Sequence, residues 1–291
     1  MKPALLFVVL ATLVACTEER ADQSAAAGPI LIAVLPDQSR DTLLSQYAPL
    51  LDYLESETSL EFELAIPLDY SDLLDQFDAG RVDLAWFGGL TFTQAERRSG
   101  AVPLVFRDVD LKFTSCYLAN STDPRTMISE FEGEDFSFGP GLSTSGHLMP
   151  RYFMKDEGLD PEQFFASIRH SAGHDQTATW VANGTVALGV ANCVIVQSLL
   201  ESGLLSSDDV RIIETTPPYS NYVWAVSVSV DDRIRLTLLD AFLALDASIP
   251  EHREILRSQG ANAYMPAASE DFELVRIAAD RSGLYLEDHV N

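Results

Sequence analysis

Basic residues are scarce in this chain. Its 291 residues include 19 Lys+Arg against 44 Asp+Glu, a formal net charge of −25. That balance argues against nucleic acid and anionic bilayer surfaces as partners, because both reward clustered cations. Cysteine is nearly absent, at three residues, and the sequence holds no CxxC, no HExxH and no His/Cys cluster. Neither a metal site nor a cofactor is therefore expected. There is no GxSxG elbow, the main local sign of a serine hydrolase, and no short-period repeat. Beyond the extreme N-terminus no long apolar run occurs. What remains is ordinary globular composition, 47% apolar and 22% charged, enough for two lobes with real cores.

The N-terminus, "MKPALLFVVLATLVAC", places Lys2 before an apolar run from Ala4 to Val14. The run is short for a membrane span and reads as the apolar region of a signal peptide. Its end, "LVAC", resembles the lipobox of bacterial lipoproteins. That resemblance implies cleavage before Cys16, a lipid on Cys16, and a place in the periplasm or cell envelope, anchored to a membrane. A plain cleaved signal is the alternative. Residues 17–29, "TEERADQSAAAGP", are polar and Ala-rich and read as a flexible tether. An exported chain can form disulfides, but nothing in the spacing of Cys116 and Cys193 demands one. Two buried free thiols are expected.

The body alternates strands and helices. "ILIAVLP" reads as a buried strand. Leu43, Leu44, Tyr47, Leu50, Leu51 and Leu54 then recur at helical spacing. The rhythm continues through "EFELAIPL", "DYSDLLDQFDAG", "VDLAWFGG" and "AVPLVFR", and restarts after "LKFTSCYLAN". This pattern predicts an α/β fold with mainly parallel sheets. Two units and a helical tail from Asp231 imply two lobes. The chain is expected to cross near Thr114 and return near Tyr219, giving lobe 1 as 30–113 plus 220–291 and lobe 2 as 114–219.

One stretch carries chemistry. "GPGLSTSGHLMPRYFM", Gly139 to Met154, follows the strand "DFSF" and opens a helix. The first N–H groups of a helix have no intrahelical partner, and the macrodipole places about half a positive charge there. Ser143, Thr144 and Ser145 add hydroxyls, and Gly141 and Gly146 would let a ligand approach the backbone. The result is an anion seat without a formal charge. Hydrogen bonds to a charged acceptor contribute about 1.5–3 kcal/mol each, while surface repulsion is screened beyond about 8 Å. The acidic surface therefore slows encounter without excluding an anion. The plainer alternative is that Ser143 or Thr144 only caps the helix. His147 is either a ligand donor or a packed histidine.

The order of segments resembles the substrate-binding proteins of phosphate/phosphite/phosphonate ABC importers. The resemblance runs from about Ile30 to Ile277 and rests on "DYSDLLDQFDAGRVDLAWFGGLTF", "STSGHLMPRYF", "AGHDQTATWVANG" and "TTPPYSNYVW". "WFGG" and "FRDVDLKFTS" are similar to the selenate-binding branch. The resemblance implies a two-lobed periplasmic-binding-protein fold of type II with two crossover strands. A small tetrahedral oxyanion would sit in the cleft, and ABC permease subunits would be the membrane partner of a monomeric, non-enzymatic protein.

By the same resemblance Tyr70 bonds the anion through its hydroxyl and His174 faces the ligand. Phe87, Gly88, Gly89 and Thr91 run off a strand end toward another helix N-terminus, with the backbone and the Thr91 hydroxyl expected to reach the cleft. Trp86 is expected in the core. Asp175 is expected to orient His174 or cap its helix. Asn192 would donate to an oxyanion or close a turn. Ala187 stands where the family often has Asp, which favours a compact oxyanion over an amino-bearing one. A donor-only seat would favour fully ionised oxyanions, and one carboxylate acceptor would admit a protonated one; the sequence places no such acceptor. Two rivals stand beside this reading. Ser145, His147, His174 and Asp175 contain the letters of a hydrolytic triad, and the same fold serves as the input module of signalling proteins.

Overall fold

The computed structural model describes residues 28–284. Cys16, the signal segment and all but the end of the tether lie outside the described residues. The chain opens with β1 (Ile30–Val34), α1 (Arg40–Thr58), β2 (Phe62–Ala65), α2 (Tyr70–Asp78), β3 (Leu84–Phe87), α3 (Gly89–Ser99) and β4 (Val102–Arg107). It continues through β5 (Ser115–Asn120), β6 (Asp135–Phe138), α4 (Met149–Asp156), α5 (Pro161–Phe164), β7 (Ser167–His170), α6 (His174–Ala182), β8 (Leu188–Asn192), α7 (Cys193–Glu201) and β9 (Val210–Thr215). It returns through β10 (Val223–Val226), α8 (Asp232–Leu243), α9 (Pro250–Ser258), β11 (Tyr264–Pro266) and α10 (Glu273–Ser282).

These strands form two sheets, ordered β11-β4-β10-β3-β1-β2 and β7-β6-β8-β5-β9. In the first, β1 runs parallel to β2 and β3, and β10 is antiparallel to both β3 and β4. In the second, β6 is parallel to β7 and β8, and β5 is antiparallel to β8 and β9. The strands built by βαβ crossovers thus share one direction in each sheet. The strands that carry the chain between sheets, β5 and β10, run against them. The passage occurs where Phe113 and Tyr219 exchange both backbone bonds, at 2.9 and 3.0 Å.

The apolar patterns have local causes. In α1 the predicted stripe buries Leu43, Tyr47, Leu50 and Leu54, joined by Tyr53, while Leu44 falls on the exposed side. Along β5, Cys116 and Leu118 enter one core cluster and Tyr117 and Ala119 another, the period-2 signature of a strand covered on both faces. β11 is a strand the periodicity missed. It is three residues long and ends in Pro266, a residue a sheet tolerates at its edge, which is where β11 lies.

The two cysteines are not free thiols. Cys116 and Cys193 form a disulfide, with Cα atoms 5.0 Å apart, a spacing that suits such a bridge. Cys116 pairs with Ala191 across the β5–β8 ladder, and α7 begins two residues later, at Cys193. Tertiary register brings the sulfurs together, which no spacing rule could show.

Candidate binding site between the two sheets

The Ser/Thr stretch departs from a regular helix. Residues Thr144–Leu148 form one π-helical turn leading into α4, with Ser143 as N-cap. Ser143 Oγ accepts from Gly146 N–H at 2.9 Å, so this hydroxyl caps its own turn. Gly146 is small for a packing reason. A Cβ there would come within 2.8 Å of Gly139 Cα and 2.9 Å of His174 Cε1, whereas Gly141 faces no atom within 4 Å. Gly146, expected to let a ligand approach, instead lets the turn fold on its own strand, while the space beside Gly141 is open.

Thr144 reaches across to the first sheet. Its Oγ1 accepts from Leu90 N–H at 2.8 Å, at the N-terminus of α3. A Cβ on Gly88 would meet that oxygen at 3.1 Å, so the close approach depends on glycine. Gly89 N–H is taken by Asn221 Oδ1 at 3.2 Å. The Thr91 hydroxyl, expected to face the cleft, donates to Gly88 O at 3.0 Å inside its own helix. Phe87 is fully buried, edge-on to Phe77. Trp86 is buried, with Tyr222 stacked on it at 5.3 Å.

The two histidines have different fates. His147 Nδ1–H donates to Gly141 O at 2.6 Å, and its Nε2 accepts from Arg151 Nε at 2.8 Å. Burial pushes its pKa down to about 3, with His170 and Arg151 adding repulsion. Both ring nitrogens are committed, so His147 is a packed residue and not a free donor. His174 opens α6 and is fully buried, and burial likewise pushes its pKa down to about 3. Its Nδ1 accepts from Asn192 N–H at 3.2 Å, which assigns the remaining proton to Nε2. That Nε2–H faces Ser143 Oγ at 3.4 Å. Asp175, next in sequence, accepts from Gln176 N–H and does not orient the His174 ring.

Asn192 closes a turn. Its Oδ1 accepts from Val194 and Ile195 N–H, capping α7, which leaves Nδ2 to donate to Tyr222 Oη at 3.0 Å. Tyr222 in turn donates to Asp37 Oδ2 at 2.8 Å. Asp37 is buried, and burial raises its pKa to about 6 against the pull of Tyr222 and Arg107.

Three buried groups here lack a hydrogen-bond partner among the described residues: Tyr70 Oη, Ser145 Oγ and Asn221 Nδ2. Tyr70 opens α2, and its phenol is raised well above its usual pKa by burial and by Asp37, while the nearby Ser143 hydroxyl pulls it down. Ser145 Oγ lies beside the Tyr219 phenol, whose pKa burial raises and which Ser145 and Ser115 pull down. Asn221 is fixed by its other amide atom on Gly89. Buried polar atoms are rarely left unpaired. Three of them around one helix turn, beside the His174 Nε2–H, leave hydrogen-bonding capacity unspent at one place.

Of the residues singled out from sequence, Tyr70, Ser143, Thr144, Ser145 and His174 come together. Gly88 and Gly89 border them. Phe87, Thr91 and His147 serve packing or local bonding, and Asn192 supports through Tyr222. Asp37, Asn221 and Tyr222 were missed. The last two stand in "TTPPYSNYVW", whose return to the first sheet was the available signal.

Residues 32–272 match the family model described as "ABC transporter, phosphonate, periplasmic substrate-binding protein". The chain is 26% identical over 254 residues to the probable ABC transporter phosphite binding protein PhnD1 of Prochlorococcus marinus (strain MIT 9301), covering 83% of this chain and 86% of that one. It is 25% identical over 254 residues to the phosphonates-binding periplasmic protein of Escherichia coli (strain K12), covering 84% and 73%. The solved structure of the Prochlorococcus protein in complex with methylphosphonate superposes with a TM-score of 0.83 at 24% identity, covering 88% of this chain and 98% of that one. The two sheets thus belong to a two-lobed binding-protein fold, and the chain is a member of the family of periplasmic substrate-binding proteins of phosphonate ABC transporters.

Proposed function

We propose that this protein captures a small tetrahedral oxyanion of the phosphonate, phosphite or phosphate type between its two lobes and presents it to ABC permease subunits. The observation that carries this reading is the convergence of Tyr70 Oη, Ser145 Oγ and Asn221 Nδ2, all buried and unpartnered, around the turn headed by Ser143. The phosphite and methylphosphonate named for the Prochlorococcus protein support the same ligand class. The reading includes lobe boundaries at the Phe113–Tyr219 bridge, a lipid anchor at Cys16, and action as a monomer. A binding role is favoured over hydrolysis because His147 and Asp175 are bonded away from Ser145 and His174 lies between Ser143 and Asn192 N–H, so no Ser-His-Asp relay forms among the described residues.

The test is calorimetric titration with phosphate, phosphite, methylphosphonate, sulfate and selenate. At least one phosphorus oxyanion should bind. Ser145→Ala and Tyr70→Phe should each weaken it by about 1.5–3 kcal/mol, roughly ten- to a hundredfold. Because neither hydroxyl makes a well-formed hydrogen bond among the described residues, only looser approaches to Ser143 and Tyr219, stability without ligand should change little. A ligand that binds equally well to both variants would sink the proposal.

A further inference from the structure

The seat is donor-rich, yet a buried carboxylate stands in its wall. Asp37 follows β1 and is 5% exposed. Its backbone C=O accepts from His174 N–H at 3.0 Å, at the helix terminus whose ring faces Ser143. Tyr70 stands close enough for the charge of Asp37 to act on its phenol. Asp37 is therefore contiguous with the seat from both sheets.

The direction of its hydrogen bond is fixed from a distance. The N–H groups of α7 can only donate, so Asn192 must offer them Oδ1 and turn Nδ2 to Tyr222. Tyr222 then spends its single proton on Asp37 Oδ2. That oxygen is held as an acceptor, and among the described residues Tyr222 is the side chain hydrogen-bonded to the Asp37 carboxylate, with the backbone N–H of Asp37 itself also favouring its charge. Tyr70, Ser145, Asn221 Nδ2 and His174 Nε2–H can all donate.

We infer that Asp37 is the specificity-determining acceptor of the seat. It pairs with a protonated oxygen of the ligand, so that the site selects tetrahedral oxyanions carrying a hydroxyl over fully ionised sulfate or selenate. This inference rests on the oxyanion reading above. Its physical basis is repulsion. An ionised carboxylate facing an ionised oxygen in a buried site is costly, and one proton held between them turns the clash into a charge-assisted hydrogen bond. Phosphoryl groups lose their second proton near neutral pH, at about 6 for a phosphate ester, so they can supply that proton. Sulfate and selenate carry none to give. Other groups acting on Asp37 set where this happens: Arg107 of β4 favours its charge, Asp175 of α6 opposes it, and Tyr222 stabilises it by hydrogen bonding. Tyr47 of α1 and Tyr70 of α2 lie within its field and remain neutral phenols.

The test is calorimetric titration at pH 8 and 9 in two buffers of different ionisation enthalpy. Wild-type protein binding methylphosphonate should take up about one proton. Its affinity should fall about tenfold between the two pH values, as a one-proton linkage requires. Sulfate and selenate should bind at least tenfold more weakly at pH 8. Asp37→Asn keeps a carbonyl for Tyr222 and turns an N–H toward the ligand. It should abolish the proton uptake and bring sulfate and selenate at least tenfold closer to methylphosphonate. If wild type binds methylphosphonate without proton uptake, or binds sulfate as tightly, this inference fails and the oxyanion reading stands. If it binds none of the panel, the oxyanion reading fails and takes this inference with it. Should the variant not fold, the wild-type proton count decides alone.

Discussion

Breaking the bridge between Cys116 and Cys193 removes a constraint from the unfolded chain. The bridge joins residues 77 apart in sequence. In the chain-entropy account, a closed loop of that size restricts the unfolded ensemble by about 4–5 kcal/mol, and removing native disulfides typically costs about 2–5 kcal/mol. For a chain of this length each kcal/mol shifts the midpoint by about 2–4 °C. Reduction, or the double substitution Cys116→Ala with Cys193→Ala, should lower Tm by roughly 5–20 °C. The paired alanines avoid burying new hydroxyls in a core where Cys116 and Cys193 are 1% and 6% exposed. Calorimetric scans with and without reductant, with thiol titration to show that the bridge has opened, supply the measurement. Two titrated thiols with Tm unchanged within about 2 °C would mean that the loop was already restrained without the bridge, and the reasoning would fail.

Acid should destabilise the fold through its buried histidines. His147 and His174 are held neutral with pKa values near 3, so below about pH 6.5 the unfolded chain binds protons that the fold excludes. Each then costs about 1.4 kcal/mol per pH unit, while Asp37, raised to about 6, returns a similar amount between pH 6 and 4. Urea unfolding at pH 6 and 4 should show a net loss, and His147→Gln should reduce its slope; an unchanged slope would contradict a neutral His147. Solution scattering should show a smaller radius of gyration with methylphosphonate bound, through bending near Phe113 and Tyr219, and identical curves would argue against closure. Cys16→Ser should abolish lipidation, and either release the protein from membranes or leave it uncleaved; wild type recovered soluble with another N-terminus would refute the anchor.

The sheets were legible because buried strands such as Ile30–Val34 and Leu84–Phe87 read as continuous apolar runs and α1 kept its stripe. The turn proposed as the seat stood out because hydroxyls and glycines cluster locally in Ser143 to Gly146. The partners of those residues were not. His147 and His174 both follow a glycine, yet one ring is claimed by Arg151 a turn later and the other by Asn192 N–H on a different strand. The spacing of His147 and Arg151 is a helical i,i+4 pair, and it could have flagged the first. Nothing local could place Asp37 beside Tyr222, since 185 residues separate them. Long-range register decides such pairs, as it decided the disulfide.

The reciprocal bonds between Phe113 and Tyr219 also limit how the molecule can move. Two separate threads between the sheets would let one half slide, twist and swing against the other. Laced side by side, they act as a single short ribbon, stiff within its own plane and compliant across it. Relative motion of the proposed lobes would then reduce largely to one angle, and every swing would return the same rims to the same register. A membrane partner reading that angle needs only the gap between two points on the rims, not a full set of translations and rotations.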